Sequence, residues 1–324
     1  MSPSRVVVIG AGLAGLSAGR LLADQHEVLV LDKGRGVGGR MATRRIGEAT
    51  LDHGAQFLTT HTDEFAAVVS GWGDAGLVQP WFHGQVGPTG VADPDGHPRY
   101  RGTPTMNAIA RSLADGLDVR TSAAVRSVRL DGDGWVVSTE TEQFRADAVL
   151  LTAPVPQSLA LLDAGGVPLD HGDAEALQRI AYAPCIAVLA VLDGPSGLPE
   201  PGAVRRTDGP IDWMADNQRK GTSAVPAVTV HTSAAFSRLH WDDPDDAIVE
   251  QVMTAAGLAS RPLAGLVQVH RWRFAKPEVG HPSRSLLARG VPPLAFAGDA
   301  FAGAAAEGAV LSGTDAAHRL FTQL

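Results

Sequence analysis

Three glycines and one aspartate near the start of the chain have the spacing needed to hold a nucleotide. Gly10, Gly12 and Gly15 stand as G-x-G-x-x-G in Val8-Ile-Gly-Ala-Gly-Leu-Ala-Gly15. Glycine at 10 permits a tight turn, and glycine at 12 lets the backbone approach a pyrophosphate. Glycine at 15 lets a helix pack on the preceding strand. The helix that begins at Leu13 and Ala14 offers free N–H groups and the positive end of its dipole to phosphate oxygens. Asp32 follows a second strand, where a carboxylate can accept hydrogen bonds from ribose hydroxyls. This is the chemistry of a dinucleotide site, and by itself it does not separate NAD from FAD.

The elements around the motif are those it needs. Residues 5–9, Arg-Val-Val-Val-Ile, read as a buried parallel strand, and a helix is expected from Leu13 to about Asp24. Glu27–Leu31 reads as the next strand, which completes a β-α-β unit. Residues 34–45 are expected to form a loop leading into a short helix. From Trp72 to Tyr100 the chain is rich in Gly, Pro and aromatic residues, which implies loops and strands. A helix is expected over 105–115. Strands are expected over Val119–Val128 and Gly134–Thr139, joined by the Asp-Gly-Asp-Gly turn at 131–134. Further buried strands are expected at Val149–Pro154, Cys185–Leu192, Ala227–His231 and Leu294–Ala297. Asp243 is expected to cap a helix with Pro244 in its first turn and Gly257 at its end. The acidic residues there are therefore read as a cap rather than a metal site, and no metal is expected. A last helix is expected from Glu307 to Phe321.

The bulk composition narrows the function classes. The 324 residues include 44% hydrophobic and 19% charged residues, an ordinary globular mix with length for two interleaved domains. The net charge of −8 and the absence of a Lys/Arg block give no footprint for nucleic acid or anionic lipid. No apolar run approaches the length of a membrane span. The N-terminal segment Met1–Arg5 lacks the signal-peptide pattern, so a cytoplasmic location is expected. The single cysteine, Cys185, forms no internal disulfide and is expected to be a buried, inert thiol.

Beyond the first motif, Asp32-Lys33 through Arg45, with Gly38-Gly39-Arg40, resembles the second glycine motif of the flavin amine-oxidase superfamily. Leu51-Asp-His-Gly-Ala-Gln-Phe-Leu-Thr59 resembles that family's segment beside the flavin ring. Phe296-Ala-Gly-Asp299 and Glu307-Gly-Ala-Val-Leu-Ser-Gly313 resemble its closing motif. The resemblance implies an α/β flavoprotein with two dinucleotide-binding domains: a Rossmann-type FAD-binding domain and a second α+β substrate domain. The first is expected from residues 1–69, 105–165 and 285–324, the second from 70–104 and 166–284. Non-covalent FAD is implied, held by Gly10, Gly12, Leu13, Ala14, Gly15, Asp32, Lys33, Gly39, Arg40, Gln56, Phe57, Val125, Gly298, Asp299, Glu307, Gly308 and Ala309. Asp299 is implied at the ribitol chain, and the last helix is implied to face the flavin pyrimidine.

Within that superfamily the middle of the chain is similar to renalases: Trp213-Met-Ala-Asp-Asn217, Val230-His-Thr-Ser233 and His270-Arg-Trp-Arg-Phe-Ala-Lys-Pro277. The resemblance implies an oxidase that takes a hydride from a dihydronicotinamide isomer of NAD(P) and passes electrons to O2. Asn217, His231 and Trp272 are the candidates for lining that site. Each has a structural alternative: Asn217 as a turn holder, His231 as a satisfied strand histidine, Trp272 as core. The alternative activities are an amine oxidase or a desaturase on the same scaffold, or a flavoprotein without a working substrate site. The chain has only Tyr100 and Tyr182 to supply the aromatic cage of an amine oxidase.

Overall fold

The computed structural model describes residues 3–301, 303 and 305–324; Met1 and Ser2 of the N-terminal segment read above lie outside them. The chain divides into two compact units, residues 1–40, 110–182 and 276–324 in one and 41–109 with 183–275 in the other. Residues 41–69 belong to the second unit, where the sequence reading joined them to the nucleotide-binding body. The reason is that the hairpin Thr43–Ile46 with Ala49–Asp52 buries Ile46, Ala49 and Leu51 against Leu189, Val191 and Ala227 of that unit. Residues 166–182 shift the other way, because Val167, Leu177 and Ile180 join the core of the first unit.

The first unit is built on a six-stranded sheet in the order Leu286–Leu287, Leu294–Phe296, Ala148–Leu151, Arg5–Ile9, Glu27–Leu31 and Asp118–Arg120. Its strands pair in parallel except at the first edge. Alternation along Arg5–Ile9 sends Val6 and Val8 to one face and Val7 and Ile9 to the other. The Val6 and Val8 face packs on the helices Leu13–Leu22 and Ala305–Phe321 through Leu16, Leu22, Ala316 and Leu320. The opposite face packs on an antiparallel three-stranded sheet through Val128, Trp135 and Val137. The expected strand Val119–Val128 is in fact two. Asp118–Arg120 extends the parallel sheet, and Ser127–Asp131 enters the three-stranded one.

The second unit holds a five-stranded sheet in the order Ala203–Arg205, Ile211–Asp216, Ala227–Thr232, Ala181–Leu192 and Pro262–Val279. One face is apolar: Val188, Met214, Val230, Val267 and Val269 cluster with Ile248, Val252 and Met253 of the helix Asp245–Ala255. The other face is polar and aromatic. Cross-strand register puts His231 beside Trp213 and Ala187, and Thr229 beside Ala215 and Leu189. The cap of Asp245–Ala255 is Pro244, not Asp243. Asp243 accepts instead from His240 Nδ1 at 2.7 Å, and Asp245 and Asp246 take the first-turn positions. The Gly/Pro-rich stretch forms a long hairpin, Val78–Gly87 with Gly90–Gly102, preceded by a helix at Asp63–Asp74.

Candidate functional site

In the first unit the glycine motif forms an open cradle. Gly10 has φ +115°, and a Cβ there would lie 2.6 Å from Thr152 Oγ1. A Cβ on Gly15 would lie 1.9 Å from the Gly10 carbonyl oxygen, so only glycine allows this helix to start so close to the strand. At Gly12 the equivalent position faces open space. Gly12 is also the N-cap of Leu13–Leu22 and supplies no side-chain cap. The first-turn N–H groups at Leu13 and Ala14 are thus left for an anion. The loop at Gly39, with φ +51°, approaches Gly12. These features fit a dinucleotide pyrophosphate.

Asp32 braces this cradle. Its Oδ2 accepts from Ala11 N at 2.7 Å and its Oδ1 from Gly34 N at 2.6 Å. Each oxygen keeps a second lone pair, so a ribose hydroxyl remains compatible with the geometry. Lys33 is exposed and donates to Gln157 Oε1 at 3.3 Å. Val125 is half-buried against the core of this unit. Arg40 and Asp299 form a two-pronged pair, with both N–O distances at 2.6 Å. This contact joins the second glycine motif to the closing motif, 259 residues apart. Tyr182 belongs to the same neighbourhood: burial, with the Asp299 charge adding to it, raises its phenol to about 12.

The closing motif is equally tight. Gly298, with φ +145°, donates from its N–H to Ser312 Oγ at 2.8 Å. Glu307 lies in the first turn of Ala305–Phe321, with half-buried Ala309 two residues on. A Cβ on Gly308 would lie 1.7 Å from the Gly303 carbonyl, and one on Gly313 would lie 2.1 Å from the Ala14 carbonyl. Gly313 therefore lets the last helix meet the first helix at its N-terminal end.

In the second unit the segment after Asp52 is pinned by its carbonyl groups. Gln56 Nε2 donates to the carbonyls of Asp52 and Gly54 at 2.7 and 3.0 Å. His231 Nε2 and Trp272 Nε1 both lie 3.0 Å from the His53 carbonyl. His53 stacks on Trp272 at 5.3 Å and meets His270 edge-on at 4.8 Å. Burial lowers His53 to about 3, aided by the nearby His270 imidazole and the Arg44 charge; burial lowers His231 to about 4 and lowers His270 as well. All three imidazoles are neutral at pH 7. In this unit four buried polar atoms, His53 Nδ1, Gln56 Oε1, Thr103 Oγ1 and Trp213 Nε1, have no hydrogen-bond partner among the described residues. Phe57 packs against Trp213 and Phe82 at 5.2 and 6.0 Å.

Asn217 is not placed as the sequence reading expected of a substrate contact. It is fully buried; its Oδ1 accepts from Asp52 N at 3.1 Å, and its Nδ2 donates to Thr229 Oγ1 at 2.9 Å. A side chain with both ends occupied inside the core is a clamp between Asp52 and Thr229, a role other than the turn holder of the sequence reading. Cys185 is half-buried rather than buried. Loss of solvation nevertheless pushes its thiol up to about 12, with the Asp212 charge adding to the rise, so it is inert at neutral pH.

Residues 82–321 match the family described as flavin containing amine oxidoreductase, and residues 8–70 match an NAD(P)-binding Rossmann-like domain. The first of these matches spans most of the chain. The chain belongs to the flavin-containing amine oxidoreductase family. Its cofactor is a flavin, and the first unit carries the glycine cradle that suits one.

Individual relatives of this flavoprotein match over shorter stretches. A protein described as flavin-containing monoamine oxidase from Mycobacterium tuberculosis is 44% identical over 66 residues, which is 20% of this chain and 14% of that protein. An L-amino acid oxidase from Cerastes cerastes is 51% identical over 45 residues, 14% of this chain and 9% of that one. The matched segment is thus a small part of those longer oxidases. Among solved structures, a protein described as protoporphyrinogen oxidase from Exiguobacterium superposes with a TM-score of 0.73 at 14% identity over 100% of both chains. A triple variant of putrescine oxidase superposes with a TM-score of 0.74 at 16% identity over 99% of both chains. These identities establish a shared fold.

One group in the flavoprotein escaped the sequence reading. Lys220 and Asp52 form a fully buried ion pair at 2.8 Å. Asp52 also accepts from Thr43 Oγ1 and Met106 N. Lys220 is one of only three lysines in the chain, which was the available signal. Its partner is 168 residues away, so no local pattern joins them. Among the described residues no helix is long and apolar enough to cross a membrane.

Proposed function

We propose that this chain is an FAD-dependent oxidase of the renalase type, which oxidises a wrongly reduced dihydronicotinamide isomer of NAD(P) and uses O2 as acceptor. The first unit is read as the FAD-binding body and the second as the donor-binding body. One observation carries the reading: among the described residues the polar face of the second unit offers neutral imidazoles, indoles and cations, but no available buried carboxylate. Asp52 is held by Lys220, and Asp216 accepts from Ser196 Oγ and from the N–H groups of Gln218 and Arg219. A protonated amine meets no counter-charge there, whereas a flat, neutral dihydropyridine requires none.

The flavin supplies hydride acceptance; the chain supplies position and a dry wall. Trp272 presents an indole fixed by its bond to the His53 carbonyl. His270 is half-buried, touches Trp272 edge-on at 4.2 Å, and takes the polar role first expected of Asn217. His231 acts behind them, holding residue 53. The flavin is held non-covalently, because the one thiol is inert and remote in sequence from the closing motif. Acid precipitation is expected to release all of the FAD into the supernatant. Trp272→Ala is expected to slow anaerobic flavin reduction by about 10–100-fold while FAD content stays at the wild-type level. An unchanged rate in that variant contradicts the assignment.

An amine oxidase is the second reading. The description of the matching family favours it, as does the fold shared with putrescine oxidase.

A further inference from the structure

The charge around Asp52 does not balance. Lys220 and Asp52 are fully buried, and half-buried Arg101 brings a second cation within electrostatic range of both. A carboxylate has about four lone-pair sites. Those of Asp52 are filled: Oδ1 accepts from Thr43 Oγ1 at 2.6 Å and Met106 N at 3.1 Å, and Oδ2 from Lys220 Nζ at 2.8 Å and Thr222 Oγ1 at 3.4 Å. Arg101 therefore receives no hydrogen-bond acceptor from it.

The partners Arg101 does have are neutral. With the Gln79 amide turned to satisfy both its ends, the side-chain oxygen accepts from Arg101 Nε at 3.2 Å, from Nη1 at 3.3 Å and, closest of the three, from Nη2. The Gly102 carbonyl accepts from Nη1 at 3.5 Å. Among the described residues no carboxylate lies in ion-pair range of Arg101. Two cations thus stand against one carboxylate. The chain also makes room for the guanidinium: a Cβ on Gly221 would lie 2.9 Å from Arg101 Nη2.

A partly desolvated guanidinium without a counter-ion is costly. The same group is the side chain best shaped to bind carboxylate or phosphate oxygens through paired N–H donors. We propose that Arg101 is a specificity-determining residue that receives an oxyanion of the substrate, a phosphate or a carboxylate. The assignment rests on reading the second unit as the donor-binding body.

The test uses ligand pairs that differ by one anionic group, titrated into the flavin-loaded protein and followed by the flavin spectrum and by calorimetry. Nicotinamide mononucleotide against nicotinamide riboside isolates a phosphate. Phenylalanine against phenethylamine isolates a carboxylate. The anionic member of one pair is expected to bind about tenfold more tightly or better, and Arg101→Gln is expected to cut that advantage to about twofold. Gln79→Glu supplies an internal carboxylate to the guanidinium and is expected to do the same without deleting it. If Arg101→Gln does not fold, Gln79→Glu decides. An advantage in the amino-acid pair alone supports the anion site while contradicting the dihydronicotinamide donor. No advantage in either pair overturns the proposal, as does an advantage that both variants leave intact.

Discussion

The Asp52 carboxylate accepts four hydrogen bonds, three from side chains and one from Met106 N, in a fully buried site, so its counter-ion cannot be removed without consequence. Lys220→Met is expected to lower unfolding free energy by about 3–5 kcal/mol, because it leaves a buried charge unpaired. The double variant Asp52→Asn with Lys220→Met removes both charges, and is expected to recover part of that loss in urea titrations; equal losses would argue against the ion pair. Asn217→Ala deletes two buried partners, those of Asp52 N and Thr229 Oγ1, and is expected to cost about 2–3 kcal/mol with FAD content unchanged. The histidines give a pH dependence with a definite sign. Unfolded, they bind protons near 6.5, whereas folded His231 does so only near 4 and His53 near 3. The unfolded state therefore binds more protons between those values, and stability falls as pH drops from 6.5 toward 4. His231→Gln keeps a donor for the His53 carbonyl and removes one titrating group. Its melting temperature is expected to depend less steeply on pH over that window. An identical slope in variant and wild type would place His231 outside the effect.

The helices Leu13–Leu22 and Ala305–Phe321 lie against each other where Gly313 passes the Ala14 carbonyl. Gly313→Ala forces a methyl group into a 2.1 Å gap and is expected to cost about 1–3 kcal/mol and to lower the flavin-to-protein ratio on purification. Full flavin content with an unchanged melting temperature would contradict that packing. Elements of this kind were legible in the sequence wherever the determinant is local. The strand Arg5–Ile9, the glycine turn and Leu13–Leu22 follow from hydrophobic runs and from glycines whose Cβ atoms have no room. Asp63–Asp74 forms a helix that the sequence reading does not include, although Thr62 caps it through a bond from Phe65 N; its last turn carries Gly71 and Gly73, which are poor helix formers. Asp243 carries the right residue type for a cap, yet His240 lies within reach and takes its carboxylate. Asn217 was legible as important but not as a clamp, because its partners Asp52 and Thr229 come from other strands. Arg101 carries no sequence signature, and the rarity of lysine singles out Lys220 without showing its partner. What marks them is burial and unbalanced charge, which exist only once the strands are assembled.

At the scale of the whole chain, one unit holds the cradle for a dinucleotide and the other a face of neutral imidazoles, indoles and cations. That division of chemistry is the basis for assigning a neutral or anionic donor rather than a cationic one. Arg40 and Asp299 connect the two distant glycine motifs within the first unit, so Asp299→Ala is expected to weaken FAD retention without altering which donors react; measured flavin occupancy equal to wild type would contradict its role. The donor itself is tested most directly by anaerobic stopped-flow mixing of the yellow protein with the 2-, 4- and 6-dihydro isomers of NAD(P), benzylamine and a polyamine, following loss of flavin absorbance. The account predicts that the 2- or 6-dihydro isomers bleach the flavin much faster than 4-dihydro NADH or either amine. Faster bleaching by benzylamine or the polyamine than by every dihydronicotinamide isomer would contradict it and establish the amine oxidase in its place.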